Sequence, residues 1–357
     1  MLAQNKQQNI NNRKFLIKVL IITTAALLLA GGIGWMVLNS VIRPPEVPNI
    51  PIANTPPTEN EDPNDELDDG LSDSLLLPNF GQYEERRPDF YTFVIFGLTE
   101  GLNANTIMVA AYDAASREGY IISIPRDTLV DVQRNNRKIV SSYPSGRLGG
   151  RGHEGGVEQM RRDVQSLVGF RPDFYIRVDY EAFIRMVDAV GGVEIYVPFH
   201  MYYNDPYQNL HIDLQPDFQI LNGEDALRFS RYRTGTNGIS PTISDYQRIV
   251  HQQQVLAAVF SRLITPASIL RIPEFISIFN EYVYSDLSAG ELLWFANQAR
   301  SIGGLDALNL YTLPMLGTSG RPYWYELPNP EGILELVNRT VNPLIRDITM
   351  DDLRIAQ

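Results

Sequence analysis

Cysteine is absent from this sequence of 357 residues, and only four histidines occur. Without cysteine the protein has no disulfide bond, no thiolate metal site and no cysteine nucleophile. The histidines show neither HExxH nor HxH spacing, so the sequence does not predict a metal site built on histidine. A Walker loop and a serine nucleophile elbow are also missing, which argues against nucleotide chemistry and serine hydrolysis.

Basic residues are fewer than acidic ones. Lys and Arg number 30 against 42 Asp and Glu, and the formal net charge is -12. A general nucleic-acid-binding protein needs a basic face that replaces the counterions of the phosphate backbone. We therefore expect no nucleic-acid partner. The chain is long enough for one large domain or two modest ones.

Charged residues are missing altogether from residues 19–42, which read VLIITTAALLLAGGIGWMVLNSVI. A helix of about 20 apolar residues crosses a bilayer core, so this run is long enough for a transmembrane anchor. Basic residues precede it, and an acidic segment follows Arg43. The positive-inside rule then predicts a single-pass protein of the cell membrane, with residues 1–18 in the cytoplasm and the main domain extracytoplasmic. A cleavable signal peptide is the alternative, but its apolar region normally has only about 7–15 residues.

Residues 43–87 are rich in proline and acidic residues, and PPEVPNIPIANTPPTENEDPNDELDDG within them contains no aromatic side chain. Such a segment cannot bury enough apolar surface to offset its ordering entropy, which predicts a disordered linker. The sequence after it predicts a folded extracytoplasmic domain, with a core over 88–265 and a C-terminal part over 266–357.

The folded part alternates strand-like and helix-like stretches. Short apolar runs rich in β-branched residues predict buried strands over 91–96, 106–111, 120–124, 174–178 and 193–197. The spacing of apolar residues and the capping signals predict helices over 157–168, 180–190 and 223–229, and one that starts near Ser244 or Asp245. This alternation predicts an α/β fold whose sheet is covered by helices.

Four arginines stand at the ends of predicted elements: Arg126, Arg231, Arg233 and Arg248. Arg126 directly follows an apolar strand, where ligands of open α/β sheets bind. Arg231 and Arg233 would point to the same side if their segment is extended. Arg248 falls in the first turn of a helix, where unpaired backbone N–H groups favour anions. Since a guanidinium group donates paired hydrogen bonds to phosphate, convergence of these arginines predicts a pyrophosphate site.

The alternative for each arginine is an ion pair with a nearby carboxylate. Asp127, Asp225 and Asp245 are candidates for such pairs. In an acidic protein, composition alone does not choose between the two interpretations.

Seven sequence blocks occur in a recognisable order: VIFG at 94–97, NTIMVAAYD at 105–113, ISIPRDT at 122–128, Lys138-Ile139, VDAVGGVEIYV at 187–197, LNGEDALRFSRYR at 221–233 and DYQRIVHQQQVL at 245–256. In this order, behind one N-terminal anchor, they resemble the LytR-CpsA-Psr family. The resemblance implies a mixed central sheet flanked by helices, in a membrane-anchored extracytoplasmic phosphotransferase. Such an enzyme moves a glycopolymer from a polyprenyl-pyrophosphate carrier to a cell-wall hydroxyl, usually on peptidoglycan.

The resemblance also assigns roles to residues. Carried over by motif, Arg126, Arg231, Arg233 and Arg248 resemble the family's pyrophosphate-binding arginines. Asp127 matches the aspartate of the family's Pro-Arg-Asp motif, where it would either orient Arg126 or take the proton of the acceptor.

The polyprenyl tail of the family's substrate enters an apolar pocket beside the sheet. Phe174, Ile176, Phe183 and Val187 are the candidates for that pocket here. Ordinary core packing is the alternative for each of them.

The sequence departs from the family at the metal site, where two aspartates hold Mg²⁺ or Mn²⁺. Thr99 and Asn105 stand at those positions, and Glu100 is the candidate substitute ligand. Magnesium favours charged oxygen ligands, so neutral oxygens should bind it more weakly. In addition, His251 stands where an arginine is common. Two functions therefore stay open: the phosphotransferase, or a catalytically weakened relative that binds polyprenyl-phosphate-linked glycan as a wall-assembly or regulatory factor.

Overall fold

The computed structural model describes residues 43–47, 84–99, 101–208, 210–236, 238–265, 271–299, 304–319 and 324–356. The chain divides into two compact units. The described residues of the larger unit lie within 46–287 and 296–357, and those of the smaller unit are 43–45 and 288–295. The sheets and the cavity described below belong to the larger unit.

Some predicted features lie outside the described residues. These are the predicted transmembrane anchor at 19–42 and Glu100. Of the predicted linker, only 43–47 and 84–87 are described. In the part of the chain that the structure describes, no helix combines the length and apolar character that a bilayer crossing requires.

The secondary structure of the described ranges alternates as the sequence predicts. The strands are β1 (Phe90–Leu98), β2 (Ala104–Asp113), β3 (Glu118–Ser123), β4 (Phe174–Val178), β5 (Val193–Val197), β6 (Met201–Asp205), β7 (Leu210–Leu214), β8 (Asp217–Leu221), β9 (Tyr284–Ser285), β10 (Leu308–Thr312), β11 (Met315–Thr318) and β12 (Glu326–Pro328). The helices are α1 (Ser142–Gly146), α2 (Gly152–Val168), α3 (Tyr180–Ala189), α4 (Gly223–Arg231), α5 (Asp245–Leu263), α6 (Ile272–Tyr282), α7 (Ala289–Ala299) and α8 (Pro330–Thr340).

The central sheet has six strands in the order β10-β3-β2-β1-β4-β9. The pairs β1–β2, β2–β3 and β4–β9 are antiparallel, whereas β1–β4 and β3–β10 are parallel. The antiparallel pairs β5–β8, β6–β7 and β11–β12 form three small sheets. The mixed sheet confirms the predicted α/β class.

One face of the central sheet packs against α2 and α8. Successive side chains of a strand point to opposite faces, and Val94, Phe96 and Leu98 of β1 are buried in a core with Met160 of α2 and Leu336 of α8. Each large apolar side chain buried in this way stabilises the fold by about 1.5–3 kcal/mol.

A second core joins the β5–β8 and β6–β7 strand pairs to α3, α4 and α5. Ile212 of β7, Phe229 of α4 and Val255 of α5 are buried in it. Helices α3 and α4 approach closely because Gly223 begins α4. A Cβ atom at that position would lie 2.3 Å from the backbone oxygen of Ile184.

Side-chain caps set the starts of α4 and α5. Asn222 accepts a hydrogen bond from the backbone N–H of Asp225 at 2.9 Å. Ser244 accepts one from the N–H of Gln247 at 3.2 Å, and the Gln247 side chain accepts in return from the N–H of Ser244 at 2.9 Å. These caps satisfy backbone donors that a helix start leaves unpaired. They confirm the predicted helix starts and place α5 with its N-terminus at the site described next.

Candidate functional site

A cavity of about 880 Å³ lies between the second face of the central sheet and helices α3 to α6. Ile95, Met108 and Ile176 line it from the sheet. In β1, Ile95 alternates with the core residues Val94 and Phe96, so one strand serves both the core and the cavity. The volume falls in the upper part of the range of about 300–1,000 Å³ that is typical of ligand sites.

Helix α5 forms one long wall of the cavity. Arg248, Gln252, Val255, Val259 and Leu263 line it, and their spacing of three or four residues keeps them on one face of the helix. At a rise of 1.5 Å per residue, Arg248 and Leu263 are about 22 Å apart along the helix axis. The wall therefore changes from polar at the N-terminal end of α5 to apolar at its C-terminal end.

A half-buried amide attaches α5 to the sheet. The Gln253 side-chain nitrogen donates to Ser123 Oγ at 3.1 Å and to the backbone oxygen of Tyr311 at 2.9 Å. These acceptors belong to the neighbouring strands β3 and β10. Gln253 lies little more than one helical turn beyond Arg248. This contact therefore also fixes the distance between the first turn of α5, which carries Arg248, and the sheet.

All four predicted arginines line the polar end of the cavity: Arg126, Arg231, Arg233 and Arg248. Arg126 lies in the segment after β3, and Arg248 in the first turn of α5. The pair at 231 and 233 does not share one extended segment, because Arg231 is the last residue of α4 and only Arg233 lies beyond it. Both nevertheless line the cavity.

Asp245 joins two of these arginines. Its Oδ1 atom lies 3.0 Å from Arg248 Nη2 and 3.5 Å from Arg126 Nε. The alternative of an ion pair with a nearby carboxylate therefore applies to Arg126 and Arg248. One carboxylate cannot neutralise two guanidinium groups, so a net positive charge remains at this end of the cavity.

Arg231 and Arg233 add to that charge. Asp225, a candidate partner in the sequence, pairs with Arg228 at 2.6 Å. In the described part of the chain, neither Arg231 nor Arg233 forms an ion pair. The guanidinium carbon of Arg231 instead lies 4.5 Å from the ring centroid of Tyr180, a cation–π contact that positions the side chain without neutralising it.

Arg248 is the most buried of the four, with a side chain only 7% exposed. Burial lowers the pKa of Arg248, Asp245 opposes that change, and the charges of Arg126 and Arg233 lower it further. The group still stays protonated, because the ordinary pKa of arginine is above 12. The Nε atoms of Arg126 and Arg248 are buried with no hydrogen-bond partner among the described residues. Since unpartnered buried donors are costly, an anion in the cavity would relieve both.

Asp127 lies beside this group but pairs elsewhere. Its Oδ1 atom accepts from Lys138 Nζ at 2.9 Å. Asp127 does not line the cavity, and the carboxylate that contacts Arg126 is Asp245.

The predicted metal positions carry neutral donors in the structure. The Thr99 hydroxyl donates to the backbone oxygen of Asn103 at 3.5 Å, and Asn105 Oδ1 accepts from Arg126 Nη1 at 3.4 Å. Within the described ranges, no three His, Asp or Glu side chains converge so that they could hold a metal ion. Neutral oxygens, one of them already shared with a guanidinium group, do not fit Mg²⁺ or Mn²⁺.

Three of the four predicted apolar residues line the cavity: Ile176, Phe183 and Val187. Phe174 does not line it. It lies on the same strand face as Ile176 but packs against Phe93, with ring centroids 5.6 Å apart.

His251, which the resemblance aligns with an arginine common in the family, does not line the cavity. Its ring is 4.5 Å from that of Phe229, and Nδ1 has no hydrogen-bond partner among the described residues. Burial lowers the pKa of His251 to about 4. It is therefore neutral at physiological pH and adds no charge to the site.

Two site residues were not predicted as such from the sequence. The sequence indicates Asp245 only as an ion-pair partner of a neighbouring arginine, although its position three residues before Arg248 is a helical pairing signal. Tyr180 carries no local signal, because its contact with Arg231 forms only when α3 and α4 pack together.

The LytR_cpsA_psr family model matches residues 84–337. The chain belongs to this family. A curated relative in the LytR-CpsA-Psr family is Regulatory protein MsrR of Staphylococcus aureus (strain COL), 26% identical over 186 residues, which cover 51% of either chain. Another is the polyisoprenyl-teichoic acid–peptidoglycan teichoic acid transferase TagV of Bacillus subtilis (strain 168), 25% identical over 53% of this chain and 46% of that one. The chain spans about half the length of the curated relatives it matches.

Solved structures of the LytR-CpsA-Psr family share the fold. The crystal structure of B. subtilis TagV has a TM-score of 0.57 and 20% identity, and covers 76% of this chain and 100% of its own. The structure of TagT bound to LIIa-WTA has a TM-score of 0.56 and 17% identity, and covers 74% of this chain and 97% of its own. At these identities the likeness supports the common fold alone.

Proposed function

We propose that this protein is a membrane-anchored, extracytoplasmic transferase. It moves a glycopolymer from a polyprenyl-pyrophosphate carrier to a hydroxyl group of the cell wall, such as one on peptidoglycan. The observation that carries the proposal is a single cavity with four arginines at one end and apolar side chains at the other. The transferase name of TagV, a relative in the same family, agrees with it.

The polar end suits a pyrophosphate. Arg126, Arg231, Arg233 and Arg248 bring four positive charges, against the carboxylate of Asp245 and that of Asp179, which also lines the cavity. A pyrophosphate that joins a lipid to a glycan carries one negative charge on each phosphate. Guanidinium groups donate to such oxygens in pairs, and these charge-assisted hydrogen bonds are stronger than neutral ones.

The apolar end suits a hydrocarbon chain. Phe183, Val259, Leu263 and Phe279 line it together with the sheet residue Ile176. A polyprenyl chain gains about 0.8 kcal/mol for each buried CH₂ group. The two ends together therefore select a ligand that joins a polyanionic head to a long apolar tail.

The arginines also suit the chemistry of transfer. As a polyprenyl phosphate leaves, negative charge increases on the bridging oxygen, and preorganised cations near that oxygen stabilise the transition state. No step of the proposal passes through a metal ion, because the described donors at Thr99 and Asn105 do not fit one.

The membrane anchor at 19–42 belongs to the same proposal. A carrier lipid resides in the membrane, so a domain that takes its tail into a cavity gains from being held near the bilayer. The wall acceptor lies on the outer side of that membrane, which agrees with the predicted orientation.

The test is a transfer assay on the full chain. A polyprenyl-pyrophosphate-linked glycan and peptidoglycan fragments serve as substrates, released polyprenyl phosphate is quantified, and lipid binding is measured in parallel with Mg²⁺, Mn²⁺ or a chelator. For Arg126→Gln we expect affinity for the carrier lipid to fall about 10- to 150-fold, the equivalent of about 1.5–3 kcal/mol for a hydrogen bond to a charged group.

The matched control is Arg185→Gln. Arg185 is 53% exposed on α3 and pairs with Glu181, so its loss should leave binding and turnover unchanged. Turnover that is lost in the Arg126 variant and kept in the Arg185 variant supports the transferase. Arg126-dependent lipid binding without turnover under any metal condition would support the alternative of a glycan-lipid binding factor. Lipid binding that is indifferent to Arg126 contradicts both functions.

A further inference from the structure

A carboxylate lies beside the chain segments that carry Arg126 and Arg248. Glu326 is the first residue of β12, and its backbone pairs with the segment after β3. Its N–H donates to the oxygen of Asp127 at 3.0 Å, and its oxygen accepts from the N–H of Leu129 at 2.9 Å. Glu326 is thereby fixed beside the neighbour of Arg126.

The Glu326 side chain is also fixed to helix α5. Its Oε2 atom accepts from the hydroxyl of Tyr246 at 3.2 Å. Tyr246 directly follows Asp245, the residue that contacts both Arg126 and Arg248. The carboxylate is therefore held between the two chain segments that carry the most enclosed arginines. It does not line the cavity itself, and it is half-exposed, so solvent reaches the carboxylate.

Glu326 differs from its acidic neighbours in lacking a cation. Asp127 pairs with Lys138, and Asp245 pairs with two arginines. Within the described ranges Glu326 forms no ion pair, and the hydrogen bond from Tyr246 is its side-chain contact. A carboxylate without a cation keeps more of its basicity than one that is already neutralised.

The charges around Glu326 increase that basicity. Burial raises the pKa of Glu326, the hydrogen bond from Tyr246 lowers it, and the negative charges of Asp127 and Asp245 raise it again, with a raised pKa as the net result. The pKa of Tyr246 is itself raised to about 12 by its own burial. Tyr246 therefore stays protonated at neutral pH and keeps donating to the carboxylate.

We propose that Glu326 is the general base of the transfer reaction and that Tyr246 orients its carboxylate, an inference that rests on the proposed function. The acceptor hydroxyl oxygen forms a bond to the phosphorus atom that carries the glycan. The bond from that phosphorus to the bridging oxygen breaks, and the electron pair leaves with polyprenyl phosphate. The hydroxyl proton passes to the carboxylate of Glu326.

The first test compares Glu326→Gln with Glu335→Gln in the full chain. The amide cannot take a proton, so we expect kcat to fall about 10²-fold or more, in the range usual for a lost general base. Affinity for the carrier lipid should stay unchanged, because Glu326 lies outside the cavity. Glu335 is exposed on α8, and its variant should keep the full rate. Thermal melting of each variant establishes that it is folded.

The second test follows the acidic limb of the pH profile of kcat/KM. Tyr246→Phe removes the hydrogen bond that lowers the pKa of Glu326, so the limb should move to higher pH. Asp127→Asn removes a negative charge that raises this pKa, so the limb should move to lower pH. The other charged groups nearby, Lys138, Asp245 and Arg126, stay in place in both variants. Shifts in opposite directions are not expected from a purely structural role.

The outcomes separate the two proposals. If Glu326→Gln keeps the full rate, or if neither Tyr246→Phe nor Asp127→Asn shifts the acidic limb, the assignment of Glu326 as the base is wrong. Turnover by the wild type would in that case still support the transferase function. No turnover of the wild type under any metal condition overturns both. A lost rate with intact lipid affinity, together with opposite shifts of the limb, supports Glu326 as the base.

Discussion

Burial of His251 makes the stability of the fold depend on pH. The pKa of His251 is lowered to about 4 in the folded protein by burial, whereas in the unfolded chain it keeps its ordinary value of about 6.5. Between these values the unfolded chain binds more protons than the folded one, so stability falls as the pH falls. We expect a loss of about 2 kcal/mol between pH 7 and pH 5, measured by urea unfolding.

His251→Leu should remove most of this dependence, since leucine cannot take up the proton. His153, whose pKa is also lowered by burial, contributes a remainder of the same sign. The control is His200→Gln, because His200 is 32% exposed at its side chain. A Leu variant with the same change in stability between pH 7 and pH 5 as the wild type would contradict the assignment.

At the scale of a single helix, the cap of α5 supports both stability and the site. Ser244→Ala removes the acceptor for the N–H of Gln247, which should cost about 1 kcal/mol. The first turn that this cap fixes carries Asp245 and Arg248, so affinity for inorganic pyrophosphate should fall as well. Thermal melting and calorimetric titration measure the two effects.

The matched control for this prediction is Asn329→Ala. Asn329 caps α8 by accepting from the N–H of Gly332 at 3.1 Å, and α8 packs on the sheet face away from the cavity. Its loss should lower stability by a similar amount while affinity for pyrophosphate stays at the wild-type value. Equal affinity losses in both variants would mean that general destabilisation, and not the α5 cap, weakens binding.

The local elements of this fold could be read from the sequence because they depend on neighbouring residues. The strand at 174–178 and the cap at Asn222 were predicted with the bounds and the role that the structure shows. The convergence of the arginines could also be predicted, because each stands at the end of an element. The contact of Arg231 with Tyr180 could not, since it depends on how two helices pack.

Phe174 shows a second reason why the sequence does not predict every residue of the cavity. Alternation along β4 correctly puts Phe174 and Ile176 on one face of the sheet. Only the position of the covering helices decides how far along the strand the cavity extends, and it ends before Phe174, which packs on Phe93. The sequence therefore predicts which face a strand residue takes, but not which ligand or side chain covers it.

At the scale of the whole molecule, the polarity of the cavity from end to end predicts that head and tail binding can be separated. Val259→Trp places a large ring in the apolar end. We expect affinity for a polyprenyl pyrophosphate to fall about tenfold or more, since overfilling a site costs about 1–3 kcal/mol. Affinity for inorganic pyrophosphate should not change, because the arginines lie at the other end.

Val250→Trp is the control for the filled cavity. Val250 lies on the same helix but is 47% exposed, so the same ring there should affect neither ligand. Titration of both ligands into both variants gives four affinities, of which only one should change. A parallel loss of pyrophosphate affinity in Val259→Trp would contradict a cavity with two independent ends.

The alternation of β1 between core and cavity has a consequence for how the protein tolerates change. Val94 and Phe96 are fully buried in the first core, whereas Ile95, between them, lines the cavity. In a saturation scan of residues 94–96, polar substitutions at 94 and 96 should reduce the amount of folded protein. Polar substitutions at 95 should leave the amount of folded protein unchanged and reduce lipid binding. In β1, substrate preference can therefore evolve at Ile95 while Val94 and Phe96 keep the fold.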